Sequence, residues 1–404
     1  MQVRQFGVIK KSSVFLFLLG ALFIYNTSTF LRLKFNFYLD IVLYVAFVIL
    51  TMSHGYSWRL FTSPVTIWFI LSIATVPLFL MNGVEGVWMT YLAGYIHIFF
   101  WTAVAVFLMD NYSVTEIKKY VGIQTILLGV CEIATIRALS LYPLAARGMY
   151  GHADGISSTD FLHKMGCGGF GFIYGMVFLS LGYVSVLSNR IQTKKYKSFV
   201  IVALALALYT ILHAGFSTAI ILTAAGFACC FLYANNNKRW GLILTVLASM
   251  LIIVYARDIV SMVQMLMSEL GVDIVSEKMG KILYALDTEN IMSLTRFQVF
   301  SISVNGFLRN PIWGSGIAGT DSQLLDIFSY IGMFGVTYVG LLFSAFSELK
   351  RRALPRYIVT IQTVAILLAT LNPFNDMTLM SMVFGFAPLI VFTAQNKNSE
   401  RTDE

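Results

Sequence analysis

Residues 168–197 read GGFGFIYGMVFLSLGYVSVLSNRIQTKKYK. Positions 168–188 carry no charge, and then Arg190, Lys194, Lys195 and Lys197 arrive together. About 20 helical residues, at roughly 1.5 Å each, cross the hydrocarbon layer of a bilayer. An uncharged run of that length, stopped by cations, has the pattern of a membrane span that ends on the cytoplasmic side.

The same pattern recurs outward in both directions. Apolar stretches fall at 13–31, 36–53, 63–82, 88–108, 120–138, 168–188, 198–213, 217–234, 240–256, 325–346, 357–373 and 377–395. The expected fold class is all-α, a polytopic membrane helix bundle of about 12 transmembrane helices. The stretch at 198–213 is short, and so is the gap at 214–216, which leaves re-entrant or tilted helices open there. The run after Lys11 lacks a small-residue cleavage site and is expected to stay as the first span. Residues 1–395 form one integral membrane domain on this reading, and the polar tail 396–404 is expected to be a disordered cytoplasmic tail.

Charge fixes the orientation. With the N-terminus in the cytoplasm, 18 of the 28 lysines and arginines fall on cytoplasmic segments, among them the clusters at 190–197 and 350–356. Acids run the other way, with 14 of 20 outside or in spans. Both termini are then expected to be cytoplasmic, in a multi-pass protein expected in the cytoplasmic (inner) membrane.

Composition excludes other classes. The chain of 404 residues is 58% hydrophobic and 12% charged, which lipid rather than water must cover. The net charge of +8 invites a nucleic-acid reading, but the cations follow topology and no nucleic acid is expected as a partner. Cys131, Cys167, Cys229 and Cys230 signal neither a disulfide framework nor a zinc site.

Two long segments lie on the outer face, at 139–167 and 257–324. In the second, Ile259, Val260, Val263, Leu266 and Met267 recur at helical spacing, as do Val275, Met279, Ile282 and Leu283. Both stretches read as amphipathic helices. A further helix is expected from Ser293 or Thr295 to about Leu308. Asn310-Pro311 then breaks the chain, Gly314, Gly316 and Gly319 make a flexible turn, and Asp321 stands at the start of the next span.

Three pieces of this region carry a resemblance: Arg296, then Asn310-Pro311-Ile312-Trp313-Gly314-Ser315-Gly316, then Asp321-Ser322 leading to Tyr330-Ile331-Gly332. The segment resembles the signature of the O-antigen polymerase and ligase superfamily, bacterial membrane proteins that join lipid-linked glycans. Asp321 stands where that family often has His, and the turn HAGFST at 213–218 lacks the Arg that many members place there. The resemblance implies a GT-C-like bundle with a large outer loop. It also implies a polymerase of polyprenyl-pyrophosphate-linked repeat units, in O-antigen, capsule or exopolysaccharide synthesis.

On that reading Arg296 and Asp321 are catalytic, and Arg147, Arg309, Gly314, Gly316 and Ser322 bind pyrophosphate or glycan. The reaction needs no metal or other cofactor. Partners are the lipid-linked oligosaccharide, membrane lipids, a flippase and a chain-length regulator.

Chemistry supports the assignment independently. Arginine presents a planar fork that matches phosphate oxygens. A glycine turn opening a helix offers N–H groups and a positive dipole end. The string GSGIAG has Rossmann-like spacing, but no βαβ context surrounds it.

A structural reading stands beside each functional one. Arg296, in the first turn of its helix, opposes the helix dipole, which favours function over a headgroup contact. Arg309 ends the same helix, where a cation is welcome without any ligand. Arg147-Gly148 echoes an Arg-glycine pattern in the family's first outer loop, and an exposed arginine is the alternative. Asp321 reads either as a helix N-cap or as a base for the acceptor hydroxyl. Arg137 and Glu132 read as a pair. His152, Asp154, Asp160 and His163 read as a polar loop rather than a metal site. His97 reads as a neutral histidine bonded to a neighbouring helix. Three rival readings remain: a ligase delivering finished glycan to another acceptor, a lipid-linked glycan flippase or transporter, and a structural membrane scaffold, for which the outer arginines would be dispensable.

Overall fold

The computed structural model describes residues 9–28, 42, 44, 45, 47, 63–143, 145–148, 162, 164–189, 192–234, 256–269, 273–287, 295–320 and 322–395. Among these residues the structure is all-helical, with helices joined by turns and loops and no strand. The expected span 36–53 apart from residues 42, 44, 45 and 47, the expected span 240–256 apart from Ala256, and the tail 396–404 lie outside the described residues.

The helices run in order as α1 (Ile9–Thr27), α2 (Pro64–Ala74), α3 (Val76–Met81), α4 (Trp88–Asn111), α5 (Val114–Leu141), α6 (Ala145–Gly148), α7 (Phe170–Leu187), α8 (Lys194–His213) and α9 (Ser217–Ala234). Then come α10 (Ala256–Glu269), α11 (Asp273–Asp287), α12 (Thr295–Arg309), α13 (Gln323–Ile331), α14 (Val336–Lys350), α15 (Pro355–Leu371), α16 (Met377–Met380) and α17 (Ala387–Thr393). Six segments are long and apolar enough to cross a membrane: Pro64–Met81, Trp88–Asn111, Val114–Leu141, Phe170–Leu187, Lys194–His213 and Gln323–Lys350. Shorter apolar helices cover Leu16–Thr27, Ser217–Phe231, Pro355–Leu371 and Met377–Thr393.

Local chemistry explains where the helices begin. Ser63 accepts from the Val65 N–H, with Pro64 in the first helical position. Ser113 and Glu116 form a reciprocal capping box at the start of α5. Thr193 caps α8 by accepting from the Tyr196 N–H. That cap starts α8 at Lys194, so the helix is 20 residues long, longer than the expected stretch 198–213 and long and apolar enough to cross a membrane.

Packing centres on α7, of which 83% is buried; α8, α9, α15 and α17 surround it. Peripheral helices keep apolar faces outward, as with Ile123, Ile126, Val130 and Ile133 of α5 and Ile201 and Val202 of α8. Such continuous apolar surface suits hydrocarbon and not water. The amphipathic pair α10 and α11 packs together, and Val260, Val263 and Ile282 close over Met279 and Ile220 of α9. Met262 and Met265 on α10 stay exposed.

Cross-chain bonds sort the helix ends into two groups. At one end Arg352 Nε donates to Asp110 Oδ1 (2.8 Å), Ser63 Oγ to Glu348 Oε1 (3.2 Å) and Lys118 Nζ to Gln192 Oε1 (2.5 Å). Gln192 Nε2 donates to the Thr393 carbonyl (2.9 Å) at that same end. At the other end the Gly168 N–H donates to Thr135 Oγ1 (2.9 Å), Thr378 Oγ1 to the Asn26 carbonyl (2.8 Å) and the Gln323 N–H to the Asn372 carbonyl (3.3 Å). Segments with a common expected side therefore meet one another.

Candidate functional site

The turn after α12 is built by close backbone approach. Pro311 follows Asn310 and stops the helix. The Asn310 carbonyl accepts from the Gly314 N–H (2.8 Å), and Asn310 Oδ1 accepts from the Trp313 N–H (3.4 Å). Gly314 has φ +85 and Gly332 has φ +63, conformations that L side chains adopt only with strain. A Cβ on Gly314 would strike the Tyr330 carbonyl, and one on Gly332 would strike the Ile312 carbonyl. The Ser315 N–H donates to the Ser329 carbonyl (2.9 Å) and the Met333 N–H to the Pro311 carbonyl (2.7 Å). The two glycine-containing pieces of the motif, 310–316 and 330–332, thus dock on each other as one body.

Asn82 locks that body to the bundle. Its Nδ2 donates to the carbonyls of Trp313 and Tyr330, each at 2.7 Å. Asp326 ties it to α12. Ser303 Oγ of α12 donates to Asp326 Oδ1 (2.5 Å) and accepts from the Gly319 N–H (2.9 Å). Asp326 Oδ2 accepts from the Ser322 N–H (3.1 Å). The carboxylate is 4% exposed and sits in the first turn of α13, where it complements the helix dipole.

These bonds change several expectations. The turn does not present a row of free amides, because the N–H groups of Trp313, Gly314, Ser315, Ile317 and Gly319 already have acceptors. Nor is the start of α13 open to an anion, because Asp326 supplies one. The geometry gives Gly314 and Gly316 a packing role; a Cβ on Gly316 would strike the Asn82 carbonyl. Ser322, not Asp321, is the N-cap of α13, accepting from the Leu325 N–H (3.2 Å). At 1% exposure Ser322 offers little to a substrate.

The arginines are placed by their helices. Arg296 is the second residue of α12 and Arg309 its last, exposed one. Thirteen steps at 1.5 Å put their backbones about 20 Å apart along the axis. Arg147 lies in α6, whose Ala145 and Ala146 are buried against the bundle. The side chains of Arg147 and Arg296, all of Asp321, and residues His152, Asp154, Asp160 and His163 lie outside the described residues.

Two contacts expected from the sequence meet different outcomes. Tyr44 Oη and His97 Nδ1 share a 2.8 Å hydrogen bond, so His97 is bonded to a neighbour as its sequence reading expects. Glu132 and Arg137 do not pair: Glu132 is 2% exposed and faces inward, while Arg137 is exposed. Five helical residues separate them by about 140°, which puts them on different faces. Burial pushes the Cys167 thiol up to about 12, and the four cysteines are free. Among the described residues no three His, Cys, Asp or Glu side chains gather as a metal site would require.

Sequence reading missed the roles of Asn82 and Asp326, and it paired Glu132 with Arg137 where the structure turns Glu132 inward. Asn82-Gly83 reads as a turn, which hides its long-range role. Asp326 and Glu132 carried a usable signal, an acid within an apolar helix. No family model matches the chain, and no curated protein matches it.

Proposed function

We propose that the protein is a polymerase of lipid-linked oligosaccharide repeat units, a metal-independent glycosyltransferase. It works on the outer face of the cytoplasmic membrane, with both termini inside and about 12 spans in a GT-C-like arrangement. A hydroxyl of the acceptor sugar attacks the anomeric carbon of the donor glycan. The new glycosidic C–O bond forms as the bond to the polyprenyl diphosphate breaks, and the diphosphate departs with the electron pair. The hydroxyl proton passes to a base, for which Asp321 is the candidate. Guanidinium groups stabilise the charge that develops on the leaving diphosphate.

What carries this reading is the way the resembling pieces pack. Residues 310–316 and 330–332 form one body, and Ser303–Asp326 ties it to the helix bearing Arg296 and Arg309. That body sits at the bundle end opposite the Arg352–Asp110 pair, which is the non-cytoplasmic end by the positive-inside rule. With about 20 Å between them, Arg296 and Arg309 serve different parts of a long ligand, the diphosphate and the glycan. The fold supplies no acid-base role for Ser322.

The test is a pair of variants made at normal membrane levels. Arg296→Ala and Arg147→Ala are each expected to cut long-chain polysaccharide by about 100-fold or more, the scale of losing one charge-stabilising donor. Normal-length product from both variants contradicts the mechanism. In a deletion strain, accumulation of single-repeat lipid-linked glycan indicates a polymerase, and accumulation of full-length glycan indicates the ligase.

A further inference from the structure

Helices α5 and α8 start side by side at the Lys118 end of the bundle, and a groove of about 320 Å³ runs between them. Lys118, Lys119, Gly122 and Ile126 of α5 and Tyr196 and Phe199 of α8 line it. Its floor is apolar. Gly122 leaves open space where a side chain would stand, and Ile126 is 59% exposed. Below it continues the exposed stripe of Ile123, Val130 and Ile133, so the groove opens onto hydrocarbon.

Its mouth is cationic. Lys118 and Lys119 stand in the early turns of α5, and Lys194, Lys195 and Lys197 in the first turn of α8. Both helices present their positive dipole ends here, so these lysines occupy electrostatically unfavourable positions. Among the described residues none of the five pairs with a carboxylate. Glu116, the acid in the first turn of α5, is engaged by Ser113 in the capping box. Lys118 is held in place: its Nζ donates to Gln192 Oε1 (2.5 Å) and lies 3.9 Å from the Tyr196 ring centroid. An ammonium has three N–H donors, so Lys118 keeps capacity for an anion.

We propose that this groove binds one anionic phospholipid of the surrounding bilayer. Lys118 and Lys119 hold its phosphate, Lys194, Lys195 and Lys197 add to the local potential, and one acyl chain lies over Gly122 and along Phe199 and Ile126. The joint requirement for a cationic rim and an apolar trough selects a lipid over a soluble anion. Basic pockets between transmembrane helices recognise anionic headgroups by this combination. The site is distinct from the Arg296 region, which lies at the other end of the bundle, and it does not depend on the glycan-polymerase reading.

Native mass spectrometry of the purified full-length protein tests it, with dioleoyl phosphatidylglycerol and dioleoyl phosphatidylcholine offered at equal concentration. The expected preference for phosphatidylglycerol is about ten- to thirtyfold, the effect of two lysines at a membrane surface. The double variant Lys118→Ala, Lys119→Ala brings phosphatidylglycerol binding down to the phosphatidylcholine level. Gly122→Leu, which fills the trough and keeps every charge, weakens binding of the same lipid. Lys281→Ala, a charge removed from α11, leaves it unchanged. Excess inorganic phosphate does not displace the lipid. Equal binding of the two lipids, retention by both groove variants, or displacement by phosphate overturns the proposal.

Discussion

At Gly314 the Tyr330 carbonyl stands where a side chain would begin, and φ is +85. Gly314→Ala therefore incurs left-handed strain of about 1–2 kcal/mol together with an overlap of about 1–3 kcal/mol. Gly122 offers the contrast, a helical position with open space around it. Gly122→Ala is expected to be neutral or stabilising by up to about 1 kcal/mol. Thermal unfolding in detergent compares them, and equal melting shifts contradict the docked turn. The glycines were legible as a turn but not as a docking surface. The atoms that forbid a Cβ belong to Tyr330 and Asn82, and Asn82 bonds to Trp313 across 231 residues of chain. Local spacing carries no trace of such a partner. The same limit hid Ser322, whose capping role depends on where the helix starts rather than on the residue before it.

Helices carry the next level. Asp326 is the bond between α12 and α13, since Ser303 and the Ser322 N–H both donate to it. Asp326→Ala leaves two buried donors without that acceptor and is expected to cost about 2–3 kcal/mol. Amide hydrogen exchange over 295–309 should speed up in the variant, and unchanged protection there contradicts the latch. The span Gln323–Lys350 is interrupted at Gly332–Gly335, where a tight helical turn replaces the α form. That interruption serves the docking of 310–316, so it is accounted for without invoking a transport pathway. Apolar runs made the helices legible because lipid imposes a length and excludes charge. Helix α12 was anticipated to within a residue or two by its caps and by Asn310-Pro311. The start of α8 was missed because its lysines look like loop, yet Thr193 caps a helix that includes them.

For the whole molecule, sidedness is the property on which the proposed function rests. Positive-inside counting assigned the ends, and the cross-chain bonds group the same segments together. A membrane-impermeant maleimide on intact cells is expected to label Trp313→Cys and to reach Lys119→Cys only after permeabilisation. Background is low because Cys131, Cys167 and Cys230 are buried, the half-buried Cys229 lies within the apolar helix α9, and burial pushes the Cys167 thiol at the helix edge up to about 12. Labelling of both positions from the same side contradicts the topology. The proposed chemistry was legible only as a resemblance, because the residues it would use lie on segments far apart in the chain and no spacing rule predicts which of those segments meet. The most direct test of the central claim is reconstitution. The purified protein, in liposomes with polyprenyl-diphosphate-linked repeat units and no other enzyme, should convert single repeats into a ladder of lipid-linked polymers. Repeat units that stay single, or that only cross the membrane, contradict it.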